Sequence, residues 1–351
     1  AGGYMATAIN DFIQGIIMIF GICAVIGAVL ASQGGFLAAL EGLAQVPVDA
    51  SAGPVAAPGV FASFFGPDPL NLLGVVILTS LGTWGLPQMV QKFYAIKSES
   101  AINKGMIIST VFALIVSGGC YFLGGFGRLF SDKMQFNPDG SIAGGFDSVI
   151  PTMLSGLPDL LIAIVVILVL SASMSTLSSL VLASSSTLTL DFLKDNIIKD
   201  MDEKRQVRIM QGLIVVFIAI SVVLAIIQYK SSVTFIAQLM GVSWGALAGA
   251  FLAPFLYGLY WKKTTKLACW ASFLFSTVVM VANIFVRSSF PTLLQSPINA
   301  GAFCMLAGLV IVPVVSLFTP QTNRALVENA FSCYDKKVTV RQSEALGDQV
   351  D

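Results

Sequence analysis

Six hydroxyl side chains crowd nine residues of this sequence: Ser171, Ser173, Ser175, Thr176, Ser178 and Ser179. They sit inside Leu161–Thr189, an apolar run long enough to cross a bilayer, whose ~30 Å hydrocarbon core takes about 20 helical residues. On a helix, Ala172, Ser175, Thr176 and Ser179 share one face, because neighbours lie three and four residues apart. A row of hard oxygen atoms with no charge beside it suits a small desolvated cation. It also suits helix packing, since small hydroxyl residues let helices approach and hydrogen-bond across the contact. From this helix alone, packing comes first.

Three further places put polar or irregular chemistry in apolar surroundings. Asp11, within Thr7-Ala8-Ile9-Asn10-Asp11-Phe12-Ile13-Gln14, is a carboxylate inside a predicted span. An intramembrane carboxylate is costly and normally faces a bundle interior or an aqueous cavity. The alternative places it in the headgroup zone as a helix-start residue, where an acid favours the dipole. The second place is Thr79-Ser80-Leu81-Gly82-Thr83-Trp84-Gly85-Leu86-Pro87-Gln88. Pro87 removes a backbone donor and clashes with the preceding turn, so the span either kinks or breaks. Interrupted helices are how secondary transporters build sites near the midplane, and a break must be buried in protein or line water. The third is the row Gly241, Gly245 and Gly249 before Pro254, first a close-packing ridge, with Gln238, Ser243 and Trp244 as candidate cavity residues.

The elements that must position these residues are membrane spans. Of 351 residues, 56% are hydrophobic and 11% charged, with mean hydropathy +0.86, against about 25% charged in soluble domains. The chain is therefore an all-α polytopic membrane protein. Eight spans are predicted, at about 8–31, 72–90, 106–123, 157–182, 209–227, 233–257, 267–285 and 302–317. Long loops, 33–71 and 125–156, interrupt them, and the second carries the turn signal Asn137-Pro138-Asp139-Gly140. Fifteen of the 19 Lys and Arg residues fall on one set of loops and the C-terminal tail. Arg128, Lys133, Lys230 and Arg287 fall on the other. Cytoplasmic loops carry the excess, so both ends face the cytoplasm and the long loops face outward. Histidine is absent, net charge is zero and the five cysteines lack metal-ligand spacing. Metal enzymes and nucleic-acid binding find no support there. Ala1 is not an initiator methionine, and Gly2-Gly3 reads as a turn between elements. The sequence therefore reads as the continuation of a longer protein, with processing to a mature N-terminus as the alternative.

Together these segments resemble the sodium/solute symporter family, which includes bacterial sodium–proline, sodium–sialic acid and sodium–sugar cotransporters. Thr7–Gly15 is similar to the family's Thr-Asp-x-x-Gln-Gly helix start, with Asn10 in place of its threonine. Gly82–Gln88, followed by Lys92-Phe93, resembles its broken helix and basic exit. Ser171–Ser179, running on to Asp191, resembles its sodium-site helix, and Gly245–Phe251 with Tyr260–Lys266 resembles the helix and loop that follow. The resemblance implies a fold of two inverted five-helix repeats. Span 8–31 would end the first repeat, residues 72–257 would form the second, and 267–317 would hold two peripheral helices before a cytoplasmic tail, 319–351. The first four core helices would then be partners outside this sequence.

The resemblance also assigns roles. Ala172, through its carbonyl, and Ser175 and Thr176, through their hydroxyls, match the main sodium ligands. Asp11 matches a carboxylate that some members use for a second sodium. Thr79, Thr83, Trp84, Gln88 and Gln238 become candidates for the solute cavity. The implied function is sodium-coupled symport of an amino acid, sugar or organic acid across the cytoplasmic membrane, with Na⁺ as coupling ion and no other cofactor. A solute-binding membrane sensor of the same fold is the alternative, and a soluble signalling domain would mark it. An intramembrane enzyme lacks an acid/base pair here, and coupled flux would separate a carrier from a passive channel.

Overall fold

The computed structural model describes residues 3–48, 53–93, 96, 99–138, 142–198, 201–231, 236–321 and 323–334. Helix α1 (Gly3–Ser32) is followed by the short α2 (Phe36–Gln45), then by α3 (Pro69–Gly85), α4 (Pro87–Phe93) and α5 (Glu99–Gly125). Next come α6 (Val149–Leu154), α7 (Asp159–Thr187), α8 (Glu203–Ser231), α9 (Ile236–Tyr260) and α10 (Lys266–Phe285). The chain continues with α11 (Thr292–Gln295), α12 (Pro297–Phe318) and α13 (Arg324–Phe331). Among the described residues, seven helices are long and apolar enough to cross a membrane: α1, α5, α7, α8, α9, α10 and α12.

The second predicted span, 72–90, is not one helix. It ends at Gly85, leaves Leu86 outside helical structure and restarts at Pro87 as α4. Proline cannot supply the donor a continuing helix needs, but at a first helical position that donor has no partner anyway. The two predicted loops also hold structure. Residues 33–71 contain α2 and a 3-10 turn at Val60–Ala62. Residues 125–156 contain 3-10 turns at Phe126–Lys133 and Phe146–Ser148, and α6. Asp139 and Gly140 of the turn signal, the start of the sixth predicted span and the tail beyond Tyr334 lie outside the described residues.

Two compact units divide the chain. The first comprises Ala1–Asp68 and Ile108–Phe235. Its core joins Ile22, Val25 and Val29 of α1 with Leu123 of α5 and with Phe130, Met153, Leu154 and Leu157, and Leu161, Ile162, Val165 and Leu168 of α7 pack onto it. These α1 residues recur every three or four positions, the spacing of one helix face. Gly15 lies against Phe112 and Gly119 against Ile22, so α1 and α5 run parallel in constant register. The second half of α1 meets the first half of α7, so that pair is antiparallel. A cation–π contact, Arg128 at 4.0 Å over the Phe61 ring, ties the loops of this unit together.

The second unit comprises Pro69–Ile107 and Ile236–Asp351. Here α3, α9 and α12 run parallel, because Gly82 meets Trp244, Gly85 meets Ala248, and Gly241 and Gly245 meet Ile298 and Gly301. The glycine row of α9 is the predicted packing ridge. A Cβ on Gly245 would lie 2.6 Å from Gly301 Cα, and one on Gly249 would lie 2.8 Å from Ser276 Oγ and 2.9 Å from Cys304 Cβ. Asn283 donates to the Leu294 carbonyl at 2.8 Å and Asn299 to that of Leu293 at 3.1 Å, which pins α11 to its neighbours.

Candidate functional site

The predicted sodium ligands all fall in the first unit, on two helices that pack together. Asp11 stands more than two turns past Gly3, so it is not a helix-start residue of α1. A dipole contribution, which fades beyond the first turn, does not reach it. Asp11 is half-buried, and its Oδ1 is buried with no hydrogen-bond partner among the described residues. One turn on, Gln14 is 6% exposed, and its Oε1 is likewise buried without a partner. Leaving such an acceptor unpaired costs about 1–3 kcal/mol, more for a charged group. Asp11 and Gln14 belong to the α1 stripe that continues into Ile22, Val25 and Val29, so they extend the buried face rather than the lipid face.

The register with α7 shows what this polar end of the stripe meets. A Cβ on Gly21 would lie 2.5 Å from Leu168 Cδ1. Equal steps back along α1 and forward along the antiparallel α7 bring Met18 level with Ser171, Gln14 with Ser175 and Asp11 with Ser178. Ser171 is buried, and Ser175 and Ser178 are half-buried. Ser178 Oγ donates to the Ser175 carbonyl at 3.1 Å. Among the described residues, the Ser175 and Thr176 hydroxyls have no hydrogen-bond partner. Farther along the helix, Ser185, Ser186 and Thr189 turn back onto carbonyls of their own helix. Ala172 is half-buried and Thr176 exposed, on the face one residue round from the seam. The seam therefore gathers Asp11 and Ser175, while Ala172 and Thr176 flank it. Residues Leu188–Ile197 continue α7 as a π-helix that contains Asp191.

The predicted solute residues all fall in the second unit. Gly74, Leu78, Gly82 and Gly85 form the buried face of α3, and Leu86 at the break packs with Ala248, Leu252 and Met305. The break is thus buried in protein, as an interrupted span requires. Thr79 and Thr83 are half-buried on the flank of that face. Thr79 Oγ1 donates to the Val75 carbonyl at 2.7 Å and Thr83 Oγ1 to that of Ser80 at 3.0 Å, which leaves both oxygens free to accept. Gln88 on α4 is half-buried, whereas Trp84 is 61% exposed on the far side of α3. Gln238, carried by the α3–α9 register, comes level with Val75 and Val76, about one turn from Thr79. Trp244 is the aromatic that contacts α3, at Gly82. A cavity of about 400 Å³ in the first unit is lined by Lys133, Gln135, Ser148, Thr152 and Ser155, none of them a predicted site residue.

A hydroxyl-rich helix against a half-buried carboxylate, in one unit, and a broken span packed on a glycine ridge, in the other, are the two devices that the sequence resemblance implied. The sequence profile of the Sodium:solute symporter family matches residues 1–275. The chain belongs to that family. A sodium/proline symporter of Haemophilus influenzae is 30% identical over 291 residues, covering 80% of this chain and 54% of the relative. A sodium/pantothenate symporter of the same organism is 25% identical over 267 residues, covering 75% and 50%. A high-affinity proline transporter of Bacillus subtilis is 28% identical over 296 residues, covering 80% and 56%. The chain spans about half the length of these relatives. Sequence reasoning did not name Gln14 and Ser178 among the candidate site residues, and the structure brings both to this seam. Their signal was present as the three-residue offsets from Asp11 and Ser175, which place each pair on one helix face.

Proposed function

We propose that the complete protein carries out sodium-coupled symport of a small organic solute into the cell, across the cytoplasmic membrane. The observation that carries this reading is family membership over residues 1–275, with the family's carboxylate and hydroxyl motifs falling on one packed helix pair. Ala172, Ser175 and Thr176 supply oxygens to one sodium ion, and Asp11 to a second. Thr79, Thr83, Gln88 and Gln238 line the solute path around the break at Leu86, and Trp84 borders it. Helix α1 closes the first repeat, residues 72–257 form the second, and α10 and α12 are peripheral.

The solute is a small carboxylate-bearing molecule, an amino acid or organic acid, because the relatives are named for proline and pantothenate and both carry a carboxylate. No covalent chemistry is required. Sodium must bind the outward-open state more tightly than the inward-open one, since a ligand with equal affinity for both shifts no population. Inward opening then releases ion and solute together.

Proteoliposomes holding the product of the complete reading frame test this directly. An inward sodium gradient is expected to drive accumulation of labelled proline or pantothenate above equilibrium, and collapse of the gradient to abolish it. Equal uptake with choline in place of sodium would overturn the coupling, and absence of accumulation of any labelled amino or organic acid would overturn the transport reading.

A further inference from the structure

We propose that the turn between α9 and α10, walled by α13, binds a phospholipid with an anionic headgroup, one acyl chain lying in a groove along the two helices. The inference needs only that α9 and α10 cross the membrane, so it stands or falls apart from the symport reading.

Two cavities meet at this turn, where one candidate span ends at Tyr260 and the next starts at Lys266. The first, of about 320 Å³, lies where Trp261, Lys262 and Lys266 face Leu326, Val327 and Phe331 of α13. The second, also of about 320 Å³, runs along α9 and α10 themselves. Small side chains, Ala250, Pro254 and Cys269, open this groove. Beside them stand the rings of Phe251, Phe273 and Trp270, in edge-to-face contact at 5.8 and 5.5 Å. Lys266 and Cys269 line both cavities, so a charged pocket opens directly into an apolar groove. From Lys266 to Phe273 the groove follows α10 for about 10 Å, at 1.5 Å per residue. One leaflet of the hydrocarbon core is about 15 Å deep, so an acyl chain can lie along its whole length. A soluble anion would use the pocket and leave the groove empty. A lipid uses both.

Charge selects the headgroup. Lys262, Lys263 and Lys266 are exposed and form no ion pair among the described residues. Glu328, the acid on α13, is taken by Arg324 at 2.9 Å. Basic pockets at the membrane surface attract phosphate headgroups that carry net negative charge, and a zwitterionic lipid offers them none. The pocket is also held in shape. Tyr334 Oη donates to the Leu259 carbonyl at 3.0 Å, and Lys262 lies 5.5 Å over the Phe331 ring, which ties the end of α13 to the turn. Thr264 Oγ1 shares its proton between the carbonyls of Trp261 and Tyr257 at 2.9 and 3.0 Å, and Thr265 Oγ1 accepts from the Ala268 N–H, which fixes the turn itself. Tyr260 and Trp261 are the aromatics that bilayer interfaces favour. Leu326, 63% exposed at the pocket rim, is apolar surface that a bound lipid covers.

The test is native mass spectrometry of the purified complete protein in detergent, which resolves the first bound lipid. Dioleoyl phosphatidylglycerol is expected to bind at least about tenfold more tightly than dioleoyl phosphatidylcholine. Lys262→Gln/Lys266→Gln is expected to bring the two lipids within about threefold of each other. Lys204→Gln/Arg208→Gln, a control of equal charge and spacing at the start of α8, should leave the preference intact. Soluble glycerol 3-phosphate should not displace the lipid. Position is checked separately in the wild-type protein. Equimolar phosphatidylglycerol with a diazirine in its acyl chain should label a peptide within residues 250–273. Equal affinity for the two lipids in the wild type, an unchanged preference in the lysine pair or the same loss in the control pair would overturn the proposal. Displacement by glycerol 3-phosphate, or labelling confined to other spans, would overturn it as well. Should the lysine pair not fold, the wild-type comparison and the labelled peptide decide. Failure of sodium-driven uptake with the lipid preference intact would overturn the symport reading alone.

Discussion

Among the described residues, Ser175 and Thr176 share with Ser171, Ser173 and Ser179 hydroxyls that have no hydrogen-bond partner. Most hydroxyls toward the end of α7 return to carbonyls of their own helix, the low-cost arrangement in an apolar medium. Ser175 and Thr176 are left with oxygens to offer. If they supply ligands to a sodium ion, Ser175→Ala/Thr176→Ala should raise the sodium concentration for half-maximal uptake at least about tenfold, the equivalent of about 1.4 kcal/mol, with expression unchanged. A wild-type sodium titration in that double variant would remove both from the ion site. The residue types were legible in the sequence because hydroxyl density in a charge-free span is rare. The partner across the seam was harder to read. Asp11 stood out by its cost in a membrane, but Gln14 carries no charge and looked like one more polar residue near a helix start. Its burial and its place on the seam emerge only from the structure, through the register with α7 that the close approach at Gly21 sets. Trp84 stands beside the break, as the sequence has it, on the exposed side of α3, and Trp244 from another helix fills the contact at Gly82.

Helices in a bilayer lack the hydrophobic drive that packs soluble cores, so backbone approach at small residues carries much of the stability. The row Gly241, Gly245 and Gly249 provides this between α9 and α12, with backbone against backbone at Gly301. A single methyl at Gly245 would press on Gly301 and on Met280, and neither the helix backbone nor the buried Met280 has room to move. Gly245→Ala is expected to lower the melting temperature by several degrees, for a cost of about 1–3 kcal/mol, and Gly245→Val to abolish folding. Gly212 in α8 is the matched control, since a Cβ there meets nothing within 4 Å. Gly212→Ala should leave stability unchanged or raise it by up to about 1 kcal/mol through helix propensity. Equal melting temperatures for the two alanine variants would show that the ridge does not bear load. Existence and order of the long helices were readable from apolar run length alone. The short α2 and α6 were not, because ten and six residues between turn-rich stretches carry no membrane-length signal. Nor did Pro87 by itself distinguish a kink from a break. The burial of Leu86 between Ala248, Leu252 and Met305 is what stabilises the interruption.

At the scale of the whole molecule, helix direction and charge distribution are independent records of topology, and they agree. Pairwise contacts make α1 parallel to α5 and antiparallel to α7 in one unit, and make α3, α9 and α12 mutually parallel in the other. A chain that crosses the membrane at α1, α3–α4, α5, α7, α8, α9, α10 and α12 in turn gives those same relations. The Lys and Arg bias, fifteen against four, is the ground for the proposed orientation. On that proposed orientation Arg128 and Lys133 would lie outside and Lys262, Lys263, Lys266 and Arg324 inside. Cysteine labelling checks this without reference to transport. Cys333, exposed beyond α12, should resist a membrane-impermeant maleimide in intact cells and react in inverted vesicles. Ala56→Cys, introduced in the exposed stretch before α3 in a background lacking the native cysteines, should behave in the opposite way. Labelling of both from the same side would break the even number of crossings. A clean reversal would keep the helix directions but put the basic loops outside, and with them the inward direction proposed for sodium and solute would fall.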